Sequence, residues 1–168
     1  MPAADDHGFD DVIEANARYA AGFGLSGLQP RAARGLAIVT CMDSRIEPLS
    51  MLGLAPGDAK ILRNAGARVT DDVVRSLVLA RHLLAVERVM VVAHTQCRMA
   101  GGTEDDVHES IRAAGGGDTR ELTFLVATDQ MQTLRDDVLR ARSSPHLSGA
   151  VVGGFLYDVE TGRVGRVC

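Results

Sequence analysis

Leu36-Ala37-Ile38-Val39-Thr40-Cys41-Met42-Asp43-Ser44-Arg45 is the stretch that decides the fold. Its first half is short, apolar and β-branched, the composition of a strand buried on both faces in a parallel sheet. Its second half turns polar, with a thiol, a carboxylate and a guanidinium at alternate positions. Residues two apart in an extended backbone point the same way, so Cys41, Asp43 and Arg45 can converge on one spot. That spot lies at the carboxyl end of a strand, where open α/β sheets bind ligands.

Working outward, a second strand spans Ala59 to Leu62 and ends in Arg63-Asn64-Ala65-Gly66. Thr70 offers an N-cap, Asp71 and Asp72 suit the positive end of a helix dipole, and Val73, Val74, Leu77, Ala80, Leu83 and Leu84 recur at helical spacing. The helix feeds an apolar strand, Arg88 to Ala93, followed by His94-Thr95-Gln96-Cys97. Strand, helix and strand in this order form a right-handed βαβ unit with parallel strands. Thr103 caps a further helix with Val107, Ile111 and Ala114 on its inner face, stopped by Gly115-Gly116-Gly117. Leu122 to Ala127 reads as another apolar strand. A helix capped by Thr128 or Asp129 follows, with Met131, Leu134 and Val138 inward, and Ala150 to Tyr157 with Arg163 to Val167 reads as a hairpin turning at Gly162. The fold expected is α/β, a mostly parallel central sheet of about four parallel strands plus a C-terminal antiparallel strand or hairpin, flanked by helices.

Upstream, Phe9, Val12, Ile13, Tyr19 and Ala20 follow a helical spacing that Gly22 and Gly24 end. This helix has little in its own chain to pack on, and it serves equally as an arm laid on a partner subunit. The 168 residues suit one domain, 1–168, with 1–34 as the N-terminal arm. A net charge of −4 without a dense basic block argues against nucleic acid or an anionic membrane surface as partner. No apolar run approaches the about 20 residues that span a bilayer, and no secretion signal is recognisable, so a cytoplasmic location is expected. Three cysteines without a secretory context point to reduced thiols with chemical or metal roles.

Two strands thus end in thiol-bearing loops, at Cys41 and at His94-x-x-Cys97, and in a parallel sheet these ends share an edge. Two thiolates and an imidazole make a tetrahedral zinc site with one place left for water or substrate, the pattern of catalytic rather than structural zinc. Taken singly, each residue has a plainer reading: Cys41 as a small buried hydrophobe, His94 as a hydrogen-bonded core histidine, Cys41 with Cys97 as a redox disulfide. Their convergence favours the metal. Asp43 can then accept a hydrogen bond from an attacking water, or swing onto the metal and close the site. Arg45 can hold that carboxylate in a bidentate pair. An ordinary surface ion pair, contributing about 0 to 1 kcal/mol, is the alternative.

Cys41-x-Asp43-x-Arg45, then Arg63-Asn64-Ala65-Gly66, then His94-x-x-Cys97 resembles the pattern of the β-class carbonic anhydrases, in particular short bacterial members. The resemblance runs from about residue 9 to the end of the chain. It implies one Zn(2+) per chain on Cys41, His94 and Cys97, and reversible hydration of carbon dioxide to bicarbonate and a proton by zinc-bound hydroxide. It further implies an Asp43–Arg45 dyad as catalytic residues and an Asn64-Ala65-Gly66 loop lining the substrate. A homodimer with exchanged N-terminal helices, or a tetramer built from such dimers, is implied as well. One position departs: the family places glycine directly after the second cysteine, where this chain has Arg98. Two other readings keep the same fold, a carbon disulfide or carbonyl sulfide hydrolase using the same site, and a non-catalytic or redox-sensing zinc protein.

Overall fold

The computed structural model describes residues 8–168, so the first seven residues of the expected arm lie outside it. Strand β1, Leu36–Cys41, is buried at every position, as its unbroken apolar run requires. It pairs in parallel with β2, Ala59–Asn64, on one side and with β3, Arg88–His94, on the other. Strand β4, Val151–Tyr157, runs parallel to β3, and the short β5, Val164–Arg166, returns antiparallel to β4. The sheet order is β2-β1-β3-β4-β5. Buried Thr40 would be costly in this core without a partner, and its hydroxyl donates to the Val92 carbonyl at 3.0 Å, across the β1–β3 seam.

Alternation along the strands divides the core. Ala37, Val39, Val89 and Val91 face helices α2, Asp71–Leu83, and α4, Gln130–Ser143, where Val73, Leu77, Leu134 and Val138 meet them. Leu36, Ile38 and Val92 face the other side, against half-buried Met51, Leu52, Leu54 and Phe155. Gly154 lets β4 come close to α4: a Cβ there would lie 2.7 Å from Cys168 Sγ and 3.1 Å from Val138 Cγ2. The helix starts match their sequence signals. The Thr70 side chain accepts from Val73 N, the Thr103 hydroxyl and the Asp106 carboxylate form a capping box on α3, Glu104–Ala113, and Asp129, rather than Thr128, caps α4.

Three expectations are corrected. Leu122 to Ala127 is not a strand; the fourth parallel strand is β4. The Glu104 carboxylate accepts from Phe124 N at 2.8 Å and Val126 N at 2.7 Å, occupying amides a neighbouring strand would need. Leu125, at φ 59°, breaks the extension, and only an isolated bridge, Ala100 to Ala127, remains. Helix α3 buries no residue, its Val107 and Ile111 being half-covered and Ala114 exposed. On α2 the apolar stripe stops short of Leu83, which is 68% exposed.

Helix α1, Asp10–Ala21, buries none of its residues, and Phe9, Val12, Ile13 and Tyr19 all face solvent. Apart from the contact of the Tyr19 ring with Phe23 at 5.7 Å between centroids, these apolar side chains form an uncovered stripe among the described residues.

Leu77 is fully buried between α2 and the sheet. Leu77→Ala should lower unfolding stability by about 2 to 5 kcal/mol through lost burial and the cavity left behind, read as a drop in the urea midpoint at unchanged slope.

Candidate metal centre

The parallel register delivers the three candidate ligands to one edge of the sheet. Cys41 is the last residue of β1 and His94 the last of β3, and Cys97 follows in the turn after β3. Their ligand atoms lie within 4.8 Å of one another, the two sulfurs 4.0 Å apart, and all three residues are buried. His94 is only 1% exposed. Its Nδ1 lies 2.9 Å from the Thr95 carbonyl, which can only accept, so Nδ1 carries the proton and Nε2 presents its lone pair. That Nε2 is buried and has no hydrogen-bond partner. A buried orphan nitrogen is costly, and one that faces two thiols is what a metal would satisfy. The donor set of two sulfurs and one imidazole suits zinc.

Charge at the thiols agrees with this. The hydrogen bond from Cys97 draws the Cys41 thiol down to about 3, against its burial, with His94 and the Gly66 amide helping. The same hydrogen bond, in which Cys97 keeps its proton, pushes Cys97 up, and burial adds to it. Burial opposes a charge on His94 most strongly, but without a metal Cys41, the Thr95 carbonyl and Asp43 together raise it. The Gly66 N–H lies 3.4 Å from Cys41 Sγ, in a loop where Gly66 takes φ 82°, a conformation open to glycine at little cost.

Asp43 and Arg45 form a side-on fork. Arg45 Nε donates to Asp43 Oδ1 at 3.0 Å and Nη2 to Oδ2 at 2.8 Å, while the Arg45 amide also donates to Oδ1, at 2.9 Å. The carboxylate lies beside the ligands, its Oδ2 4.0 Å from His94 Nε2. The fork holds the Asp43 carboxyl well below the usual carboxylate range.

Of the loop residues read as substrate-lining, Asn64 is committed to its own turn. Its side chain donates to the Arg68 carbonyl at 2.7 Å and accepts from the Arg68 amide at 2.8 Å. Ala65 and Gly66 lie in the loop this staple closes. Arg98 does not force the backbone: it is absent from the positive-φ positions, whereas Gln96 takes φ 56°. Its side chain reaches the Ser110 hydroxyl on α3 at 3.2 Å.

Several supports were not singled out from sequence. Arg63 donates to the carbonyls of Cys41 at 2.9 Å and Asp43 at 2.7 Å, holding the first ligand loop. Gln130, at the start of α4, donates to the His94 carbonyl at 2.9 Å. Arg68 pairs with buried Asp137 of α4 at 2.6 Å. Arg63 stands within a motif that was legible; Gln130 and Asp137 carry no local signal, since their partners are far away in sequence.

Because Arg45 favours the charged form of Asp43, removing it must raise the Asp43 pKa. Carbon-13 NMR of the metal-free protein should show Asp43 ionised at pH values where ordinary aspartates protonate, and in Arg45→Ala a titration back near the ordinary value of about 3.9.

Comparison with known proteins places this geometry among relatives. Residues 36–116 match the carbonic anhydrase family. Beta-carbonic anhydrase 1 of Mycobacterium tuberculosis is 35% identical over 162 residues, covering 94% of this chain and 96% of that protein. A carbon disulfide hydrolase of Saccharolobus solfataricus is 45% identical over 74 residues, 44% of this chain and 36% of that one. The crystal structure of a carbonic anhydrase from Streptococcus mutans superposes with a TM-score of 0.88 at 39% identity, covering 99% of this chain and 100% of that one.

Proposed function

The chain belongs to the β-carbonic anhydrase family, and on that premise we propose that it hydrates carbon dioxide reversibly to bicarbonate and a proton. The observation that carries this reading is the buried Cys41–His94–Cys97 cluster with the Arg45-held carboxylate of Asp43 beside it. Cys41, His94 and Cys97 would hold one zinc, which when bound supplies Lewis acidity toward a water molecule. Asp43, kept ionised, accepts a hydrogen bond from the attacking water and so turns a lone pair of its oxygen toward the carbon of carbon dioxide. Arg45 keeps the carboxylate in that role and off the metal. Ala65 and Gly66 present backbone and small side chains to the substrate, and Asn64 fixes the shape of their loop. The new carbon–oxygen bond gives bicarbonate, and one proton leaves to solvent.

We assign the chain a single domain, with its N-terminal arm laid on a partner to make a homodimer. The wholly exposed apolar face of α1 supports this. The cytoplasm is the compartment that fits Cys41, Cys97 and Cys168 as free thiols; no helix among the described residues is long and apolar enough to cross a membrane.

A carbon disulfide hydrolase is the second reading, favoured by the 45% identity to one such enzyme over 74 residues. It uses the same site on a different electrophile. A purely structural metal is disfavoured, because it has no use for a carboxylate gripped beside it.

Stopped-flow hydration of carbon dioxide by zinc-loaded protein tests the proposal. Hydration with about one zinc per chain is expected; full zinc occupancy with no hydration between pH 7 and about 9, or turnover of carbon disulfide alone, overturns it. Cys41→Ser should lose zinc and hydration together. Asp43→Asn should keep its zinc and lose about a hundredfold in kcat/KM, the scale of a positioned proton-handling group.

A further inference from the structure

The guanidinium of Arg45 is gripped from both sides. Asp43 takes Nε and Nη2, and on the other side Gln96 takes Nη1 through its side-chain oxygen at 2.9 Å and Nη2 through its backbone carbonyl at 3.3 Å. Gln96 lies between His94 and Cys97, but its own amide points outward to Glu160 in the turn between β4 and β5, with Nε2 donating to Glu160 Oε1 at 2.7 Å.

The chemistry of these partners fixes the orientation of the amide. A guanidinium only donates and a carboxylate only accepts, so the oxygen of Gln96 must face Arg45 and its nitrogen must face Glu160. Turned over, the amide would set donor against donor and acceptor against acceptor. The backbone also takes part, because Gln96 sits at φ 56°. A non-glycine residue there is uncommon and persists where its surroundings over-determine it. Glu160 is likewise anchored: its amide donates to Asp158 Oδ1 at 2.8 Å, and the hairpin is tied to the ligand loop by Thr95 N to the Tyr157 carbonyl at 2.9 Å and Val159 N to Thr95 Oγ1 at 3.1 Å.

We propose that Gln96 and Glu160 are positioning residues that lock the guanidinium of Arg45 against Asp43, so that the β4–β5 turn sets how firmly the carboxylate is held beside the metal site. Without the brace, Arg45 keeps its charge but gains rotameric freedom, and the carboxylate is released part of the time toward the ligands. The inference rests on the proposed roles of Asp43 and Arg45, and it concerns side chains exposed at the surface, so its effect is graded rather than complete.

The test uses full-length protein loaded with zinc for kinetics and with cobalt(II) for visible absorption. Glu160→Ala should lower kcat/KM about threefold to tenfold, as expected for one lost positioning hydrogen bond, at unchanged metal content and thermal midpoint. Glu160→Gln, which keeps an acceptor for the Gln96 amide, should recover most of the loss. Gln96→Ala with Glu160→Ala should be no worse than Gln96→Ala alone, and Glu160→Ala should have no effect in an Arg45→Ala background. The cobalt spectrum of Glu160→Ala should shift part of the way toward that of Arg45→Ala, with Glu160→Gln resembling the unmodified protein. An unshifted spectrum, or losses that add in the Arg45→Ala background, overturns the brace. Because the spectrum needs metal but not turnover, an inactive protein with the expected spectral series would refute the proposed reaction and leave the brace standing.

Discussion

The parallel pairing of β1 with β3 is the constraint on which the rest depends. It sets Thr40 opposite Val92 in register, so the polar residues that follow each strand emerge at one edge of the sheet. A slip by one residue would turn every side chain of β1 to the opposite face, moving Ala37 and Val39 off the α2 and α4 side and taking the Cys41 sulfur away from His94. The hydroxyl of Thr40 donating across the seam to Val92 and the unbroken burial of β1 hold that register. The metal-site geometry is therefore a consequence of core packing, and the three ligands need no long-range contact of their own to find one another.

Beyond the ligands, the site is organised by hydrogen bonds that leave each polar group one orientation. The Thr95 carbonyl fixes the proton of His94 on Nδ1, Arg63 fastens the carbonyls of Cys41 and Asp43, and Asn64 staples the loop that carries Gly66 to the sulfur of Cys41. Asp43 is ionised and spoken for by Arg45. In the proposed mechanism a carboxylate this close to His94 Nε2 would compete for the same cation, and the guanidinium would keep it as an orienting group instead. On that proposal the site differs from a closed structural zinc, in which every nearby donor binds metal.

Much of this was legible in the sequence, because its signals were local. Cys41, Asp43 and Arg45 do meet, but not by the extended alternation expected of them: β1 ends at Cys41, and a turn in which Ile46 N donates to the Asp43 carbonyl and Arg45 N to Asp43 Oδ1 brings the pair round. Apolar periodicity found β1, β3, α2 and α4, and cap residues marked the helix starts. The order of motifs carried the family resemblance. What escaped depended on partners distant in sequence. Leu122 to Ala127 has the composition of a strand, but Glu104, at the start of α3, takes up the amides of Phe124 and Val126. The inner face read on α3 is only half-covered, since nothing in a helical period says whether a neighbour lies opposite. Arg98 stands where the resembled family has glycine, yet the left-handed position in that loop belongs to Gln96, and no residue-type preference of glutamine announces this.

The central claim is that Cys41, His94 and Cys97 bind zinc while Arg45 keeps Asp43 from completing the set. X-ray absorption at the zinc edge of the loaded protein, compared with that of Asp43→Asn, tests it most directly. The account predicts two sulfur scatterers, one imidazole nitrogen and one further oxygen in both proteins, with no change when the carboxylate is replaced. A zinc bound by more sulfur or nitrogen ligands than these residues supply, or a ligand shell that changes in Asp43→Asn, would contradict it.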